Sequence, residues 1–322
     1  MPVTLGRAVD WWDRHQIALY LIALVAGAAT GLALPQLAPG FEHSIEPVLM
    51  LLLFATFLGV PLIEVGRAFR DLRFLSAVLV ANFAVMPLIA WGLSRLVADD
   101  RGLLLGVLFV LLTPCIDYVI VFTGLAGGAR AQLLAAAPLL MAVQIVLLPV
   151  FLYLFVGGDV LHVIDIGPFV EAFVLLIVVP LAAAAALQAL SRRHRSGRRV
   201  EGVMAGAMVP LMMATLAIVV ASQIAAIGSE VVSLLRVVPI YVVYVVIALA
   251  VGLLVGRVGR LDVASTRAVM FSTATRNSLV VLPLALALPS SLAIAPLAVV
   301  TQTLVELVAM VVLVRVVPRI AR

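Results

Sequence analysis

Ten stretches of roughly 20 apolar residues run through the chain, and each is long enough to cross a bilayer core about 30 Å thick. They fall at about 17–35, 45–66, 74–97, 102–127, 131–156, 166–190, 202–223, 234–256, 264–288 and 292–317. Inside lipid, unpaired backbone groups are costly, so only helices or closed barrels persist there. The stretches lack the apolar–polar alternation of barrel strands, which selects helices. A soluble domain of this length needs roughly a quarter charged residues to cover its surface. Here charged residues make up 11% and hydrophobic ones 65%. The expected fold is an all-α integral membrane protein with ten transmembrane helices.

The basic residues give that count an orientation. There is no lysine, and all 21 basic residues are arginine. With the N-terminus in the cytoplasm, Arg7, Arg14, Arg67, Arg70, Arg73, Arg130, Arg192, Arg193, Arg195, Arg198, Arg199, Arg257, Arg260, Arg267, Arg315, Arg319 and Arg322 gather on the cytoplasmic side. Only Arg95, Arg101 and Arg236 fall outside, and Arg276 lies within a span. This bias follows the positive-inside rule, and adding or dropping one central span would scramble it. The expected division is a cytoplasmic segment 1–16, a first five-helix repeat 17–156, an outer linker 157–165, a second five-helix repeat 166–317 and a cytoplasmic tail 318–322. Trp11 and Trp12 fit an interfacial anchor. The expected location is the plasma membrane, with the lipid bilayer as the surrounding partner.

The same residue usage excludes several function classes. Without lysine there is no phosphate-binding P-loop and no Schiff-base chemistry. His15, His43, His162 and His194 all fall in tails or loops, so the spans offer no histidine metal site. A single cysteine, Cys115, allows neither an internal disulfide nor a cysteine zinc cluster. No cofactor, bound metal or enzymatic activity is expected. The net charge of +5 reflects the arginine-bearing loops rather than a nucleic-acid partner.

An internal repeat is expected from two short matches. Ala137-Pro138-Leu139 followed by Gln144 recurs as Ala295-Pro296-Leu297 followed by Gln302, each near the start of the fifth span of a half. An odd number of spans per half makes the second half insert upside down. Inverted repeats of this kind mark secondary transporters, whose sites lie where the repeats meet. Running the register backwards pairs Cys115 to Asp117 with Thr273 to Thr275. Both segments are polar and sit mid-span, and Pro114 breaks its helix by removing a backbone donor. Spans four and nine are therefore expected to be broken crossing helices.

These segments carry the candidate site. Asp117 and Arg276 lie at membrane depth, where an ionised side chain costs about 2.5–3.5 kcal/mol; they either pair or meet a substrate or coupling ion. Glu306 is a third intramembrane charge, either bonded to Gln302 one turn away or acting as a proton carrier. Cys115, directly after the proline, is either an inert core residue or a soft ligand. Thr273, Thr275 and Asn277 complete the candidate substrate site, while Asp117, Glu306 and Gln302 are the candidates for ion or proton coupling. Gln144, Gln302, Ser222 and Gln223 read as interhelical hydrogen-bond glue ahead of ligands, and the Gly-xxx-Gly pairs 27/31, 102/106, 202/206 and 252/256 as close packing.

The pattern resembles the bile acid/sodium symporter superfamily, and within it the arsenical-resistance branch. Members of that branch carry a cysteine in the broken fourth span, matched here by Thr113-Pro114-Cys115-Ile116-Asp117, and a glutamate in the last span, matched by Leu304-Val305-Glu306-Leu307-Val308. The resemblance implies proton-coupled export of arsenite or antimonite, with metalloid contact at Cys115. Arg276 at the second break departs from the branch and suits an anion better. A sodium-coupled symporter of a small organic anion is therefore the alternative. Either way the partners are a small solute and a proton or sodium ion.

Overall fold

Prolines and aspartates set many of the helix boundaries. The computed structural model describes residues 3–60, 70–116, 118–156, 171, 174–227 and 231–322. Its helices are α1 (Val3–Ala33), α2 (Ala38–Gly59), α3 (Leu72–Val80), α4 (Met86–Ser94), α5 (Arg101–Leu111), α6 (Tyr118–Leu125) and α7 (Arg130–Val156). They continue with α8 (Val179–Ser191), α9 (Arg195–Ile227), α10 (Val231–Val258), α11 (Val263–Ala274), α12 (Ser278–Leu286) and α13 (Ile294–Ile320). A π-turn, Ala81–Val85, joins α3 to α4, and a second, Val174–Val178, precedes α8. Each lies just ahead of a proline, Pro87 or Pro180. A proline ring clashes with the carbonyl four residues back, and the wider π-turn relieves that clash.

The chain divides into two compact units, and neither coincides with one sequence half. The first comprises Met1–Gly59 and Phe173–Val231. In it α9 packs along both α1 and α2. Gly27 and Gly31 make the first of these contacts possible, because a Cβ on either would come within 2.5 Å of a backbone oxygen, that of Ala217 or Ala221. This is the close approach expected of a Gly-xxx-Gly face. Buried Gln188 of α8 donates to the carbonyls of Phe57 and Leu58 at the end of α2. Ser222 turns its hydroxyl back to Val219 O on its own helix rather than across to a neighbour, and the side chain of Gln223 lies outside the described residues.

The second unit comprises Val60–Ala172 and Val232–Arg322 and holds α3–α7 and α10–α13. Small residues again permit close packing. Gly106 of α5 lies against the Ala295 backbone of α13, and Gly252 of α10 against Met270 of α11. At one end Asp71 caps α3 and also accepts from Gln132 of α7, which in turn accepts from Ser265 of α11.

Among the described residues, Leu72–Val97, Arg130–Val156, Arg195–Ser222, Val232–Val258 and Ser290–Ile320 are each long and apolar enough to cross a membrane. Ala18–Ala33 and Pro35–Phe41 form a further pair bent by 103°. The ten expected spans are not all visible as single helices, for two reasons. The fourth and ninth are each split into two helices too short to cross alone, α5 with α6 and α11 with α12. The second and sixth run into residues 61–69 and 157–170, outside the described residues, as does the expected linker at 157–165. Large exposed apolar side chains such as Val146, Val150 and Leu154 on α7, or Val242, Val246 and Leu254 on α10, suit contact with lipid tails.

Candidate functional site

The two broken helices meet within the second unit, and each is built by the same local rules. Asp100 caps α5, its Oδ1 accepting from Gly102 N at 2.9 Å and Leu103 N at 3.0 Å. Asp262 caps α11, accepting from Ser265 N at 2.6 Å. Near their far ends Thr113 donates its hydroxyl to Phe109 O and Thr275 donates to Phe271 O, which competes with continued helix. The backbone is then extended at Thr275, φ −103° and ψ 141°. Beyond the second break α12 restarts with Asn277 as its cap, Oδ1 accepting from Val280 N.

An antiparallel bridge pairs Pro114 with Arg276. Asn277 N donates to Thr113 O at 2.8 Å, and Cys115 N donates to Thr275 O at 3.2 Å. In this arrangement the central residues do not bond each other, and their own N–H groups point away from the partner strand. Proline has no N–H to satisfy. Arginine has one, and it donates to Glu306 Oε2 at 2.7 Å. The same oxygen accepts from Gln302 Nε2. Cys115, Thr113, Thr275 and Arg276 are fully buried, and Asn277, Gln302 and Glu306 nearly so.

The Arg276 guanidinium turns away from the bridge into a ring of neutral oxygens. Nη2 donates to Asn82 Oδ1 at 2.9 Å, Ser272 O at 3.1 Å and Thr273 O at 2.5 Å, while Nη1 donates to Leu111 O at 3.4 Å. The ring of Tyr244 lies beneath it, 5.3 Å from centroid to guanidinium carbon, in cation–π range. Asn82 is held by its amide nitrogen, which donates to Val78 O and Ser272 Oγ, so its carbonyl oxygen is the end that faces the guanidinium.

The structure brings Cys115, Arg276, Asn277, Thr275, Gln302 and Glu306 to this crossing. Thr273 is also buried there, but its hydroxyl is directed to backbone carbonyls, including Ala248 O of α10 at 2.9 Å. Asp117 lies outside the described residues, and so does any pairing of it with Arg276. Gln144 departs from expectation: it is buried, but neither side-chain polar atom has a hydrogen-bond partner, so it is not interhelical glue. Asn277 Nδ2 and Gln302 Oε1 are likewise buried without a partner. Sequence reasoning missed Asn82 and Tyr244. A buried asparagine inside an apolar span was the available signal for the first.

The register between the halves needs correction. Pairing Cys115 to Asp117 with Thr273 to Thr275 assumes an interval of 158 residues, that from Ala137 to Ala295. The two Ala-Pro-Leu copies are not equivalent in their helices: Pro138 is the ninth residue of α7 and Pro296 the third of α13. The caps Asp100 and Asp262, the acceptors Phe109 and Phe271, and the hydroxyls Thr113 and Thr275 all recur at 162. The bridge obeys the same interval, Pro114 to Arg276. So do Asn82 and Tyr244, which both touch Arg276. Cys115 thus corresponds to Asn277, and Gln144 to Glu306.

A family described as the sodium bile acid symporter family matches residues 46–230, more than half of the chain and including the first break. The chain belongs to this family. Members of this family are membrane transporters and not enzymes, and membership implies a solute and a coupling ion for this multi-pass membrane protein. No curated protein matches the chain. The family match ends before α10, so Arg276, Asn277 and Glu306, which complete the crossing, lie beyond it.

Proposed function

We propose that the protein exports arsenite or antimonite, as the neutral trihydroxide, in exchange for protons. The observation that carries this reading is the buried Glu306 carboxylate, which accepts the Arg276 N–H at the break of the second crossing helix. Intramembrane carboxylates are the usual proton carriers of transporters. A proton arriving on Glu306 weakens its hold on the Arg276 N–H, and so couples protonation to the backbone of the crossing. Cys115 supplies a sulfur in the facing break, a soft ligand matched to a thiophilic metalloid. Asn277 Nδ2 and Gln302 Oε1, a donor and an acceptor without partners, suit the oxygens and hydroxyl protons of an uncharged solute. In this reading the chain has ten spans in two inverted repeats, with both termini in the cytoplasm. The carbonyl ring around the Arg276 guanidinium disfavours its use as an anion clamp.

The family's description favours a second reading, sodium-coupled uptake of a small organic anion, with Arg276 as the anion ligand and Thr273, Thr275, Asn277 and Gln302 around it. The two readings part on Cys115. In arsenite-sensitive cells Cys115→Ser abolishes the protection that the wild type confers; unchanged resistance contradicts metalloid export. Under the organic-anion reading Arg276→Ala abolishes uptake and Cys115→Ala leaves it intact.

A further inference from the structure

We propose that the Arg276 guanidinium is a tethered cation, filling a monovalent-cation site built into the crossing and so freeing the transport cycle from sodium there. The ligand set is what suggests it. Leu111 O is the last carbonyl of α5, and Ser272 O and Thr273 O belong to the last turn of α11. Carbonyls at helix C-termini are left over by the helical ladder and carry the negative end of the helix dipole. Asn82 Oδ1 adds a fourth neutral oxygen and the Tyr244 ring a π-face. Unwound carbonyls and half-helix C-terminal ends are the groups that hold coupling cations in secondary transporters. Here four oxygens of that kind converge on a side chain instead of an ion.

The bridge itself does not need this side chain. It uses only the backbone of residue 276, the N–H to Glu306 and the pairing around Pro114, which any non-proline residue supplies. An arginine at this depth is costly, and the oxygen ring offsets that cost in the way it would offset the dehydration of a small cation. Asn82 fits the same account. Its amide nitrogen is bonded to Val78 O and Ser272 Oγ, which fixes the oxygen toward the site.

The inference deepens the proton-coupled reading and rests on it, but its test reads cation binding and not flux, so either can fail alone. Thermal unfolding of purified full-length protein in detergent is compared in sodium chloride, choline chloride and millimolar guanidinium chloride at constant ionic strength. The wild type is expected to melt at the same temperature in all three. Arg276→Ala is expected to melt lower and to recover several degrees, saturably, in guanidinium or sodium but not in choline; Arg276→Lys keeps a tethered cation and stays indifferent to sodium. An Arg276→Ala melting temperature that is the same in all three salts overturns the proposal. Should Arg276→Ala not be recovered, the wild type still decides: saturable, sodium-specific stabilisation of it overturns the proposal.

Discussion

At the centre of the crossing, Pro114 and Arg276 occupy the same position in two broken helices, and each has its N–H side turned away from its partner strand. The first break meets this constraint by omission, because proline has no N–H. The second meets it with a buried carboxylate, Glu306. One residue further on, the first break presents a sulfur, Cys115, and the second a capping amide, Asn277. The backbone at residue 276 is thus held by a titratable group, and the backbone at residue 114 offers no N–H for one to hold. A proton on Glu306 acts directly on the hydrogen bond that steadies the second break.

Three sets of substitutions sharpen or break that asymmetry. The largest effect is expected at Glu306. Glu306→Leu leaves the Arg276 N–H without this acceptor, costing about 1–3 kcal/mol of stability and abolishing transport. Glu306→Gln keeps an acceptor, so its melting temperature stays close to wild type while proton-driven flux is still lost. Equal melting temperatures for the leucine and glutamine variants would show that the hydrogen bond to the break does not matter. Next is Pro114→Ala, which creates at the first break the N–H that the second must satisfy. Its expected cost is also about 1–3 kcal/mol, read by thermal unfolding, with no new pH dependence. The smaller pair tests the register: Asp100→Ala and Asp262→Ala each remove one helix cap and should each cost about 1 kcal/mol. A clear inequality between them would argue against equivalence at the 162-residue interval.

A control of no expected effect lies at the surface. Arg236 donates to Asp99 at 2.6 Å, and this hydrogen bond holds the exposed Asp99 carboxyl below the ordinary carboxylate range. Exposed ion pairs contribute little. Asp99→Asn is expected to leave melting and transport unchanged, in contrast to the buried carboxylate at the second break.

Apolar runs made the helical membrane class legible from the sequence, and the proline rule located the first break at Thr113-Pro114-Cys115. The second break was found from its polar side chains, and the Gln302–Glu306 contact from their spacing of one helical turn. The register was misread because the contiguous Ala-Pro-Leu match is conspicuous. The correct correspondence is spread thinly, through Asp100, Phe109 and Thr113 against Asp262, Phe271 and Thr275. The destination of the Arg276 side chain was not legible at all. Its partner Asn82 is 194 residues away in sequence, and the carbonyls that receive it are set by where two helices end. The division into two units that each mix both halves was hidden for the same reason: it depends on which apolar faces meet.

The central claim is that a proton, acting at the Glu306 side of the crossing, drives export of a neutral metalloid. Its most direct test is arsenite accumulation in everted membrane vesicles under imposed proton and sodium gradients, applied separately. The account predicts accumulation that follows the proton gradient, collapses with a protonophore and is indifferent to sodium. Accumulation that requires a sodium gradient and survives collapse of the proton gradient would contradict it.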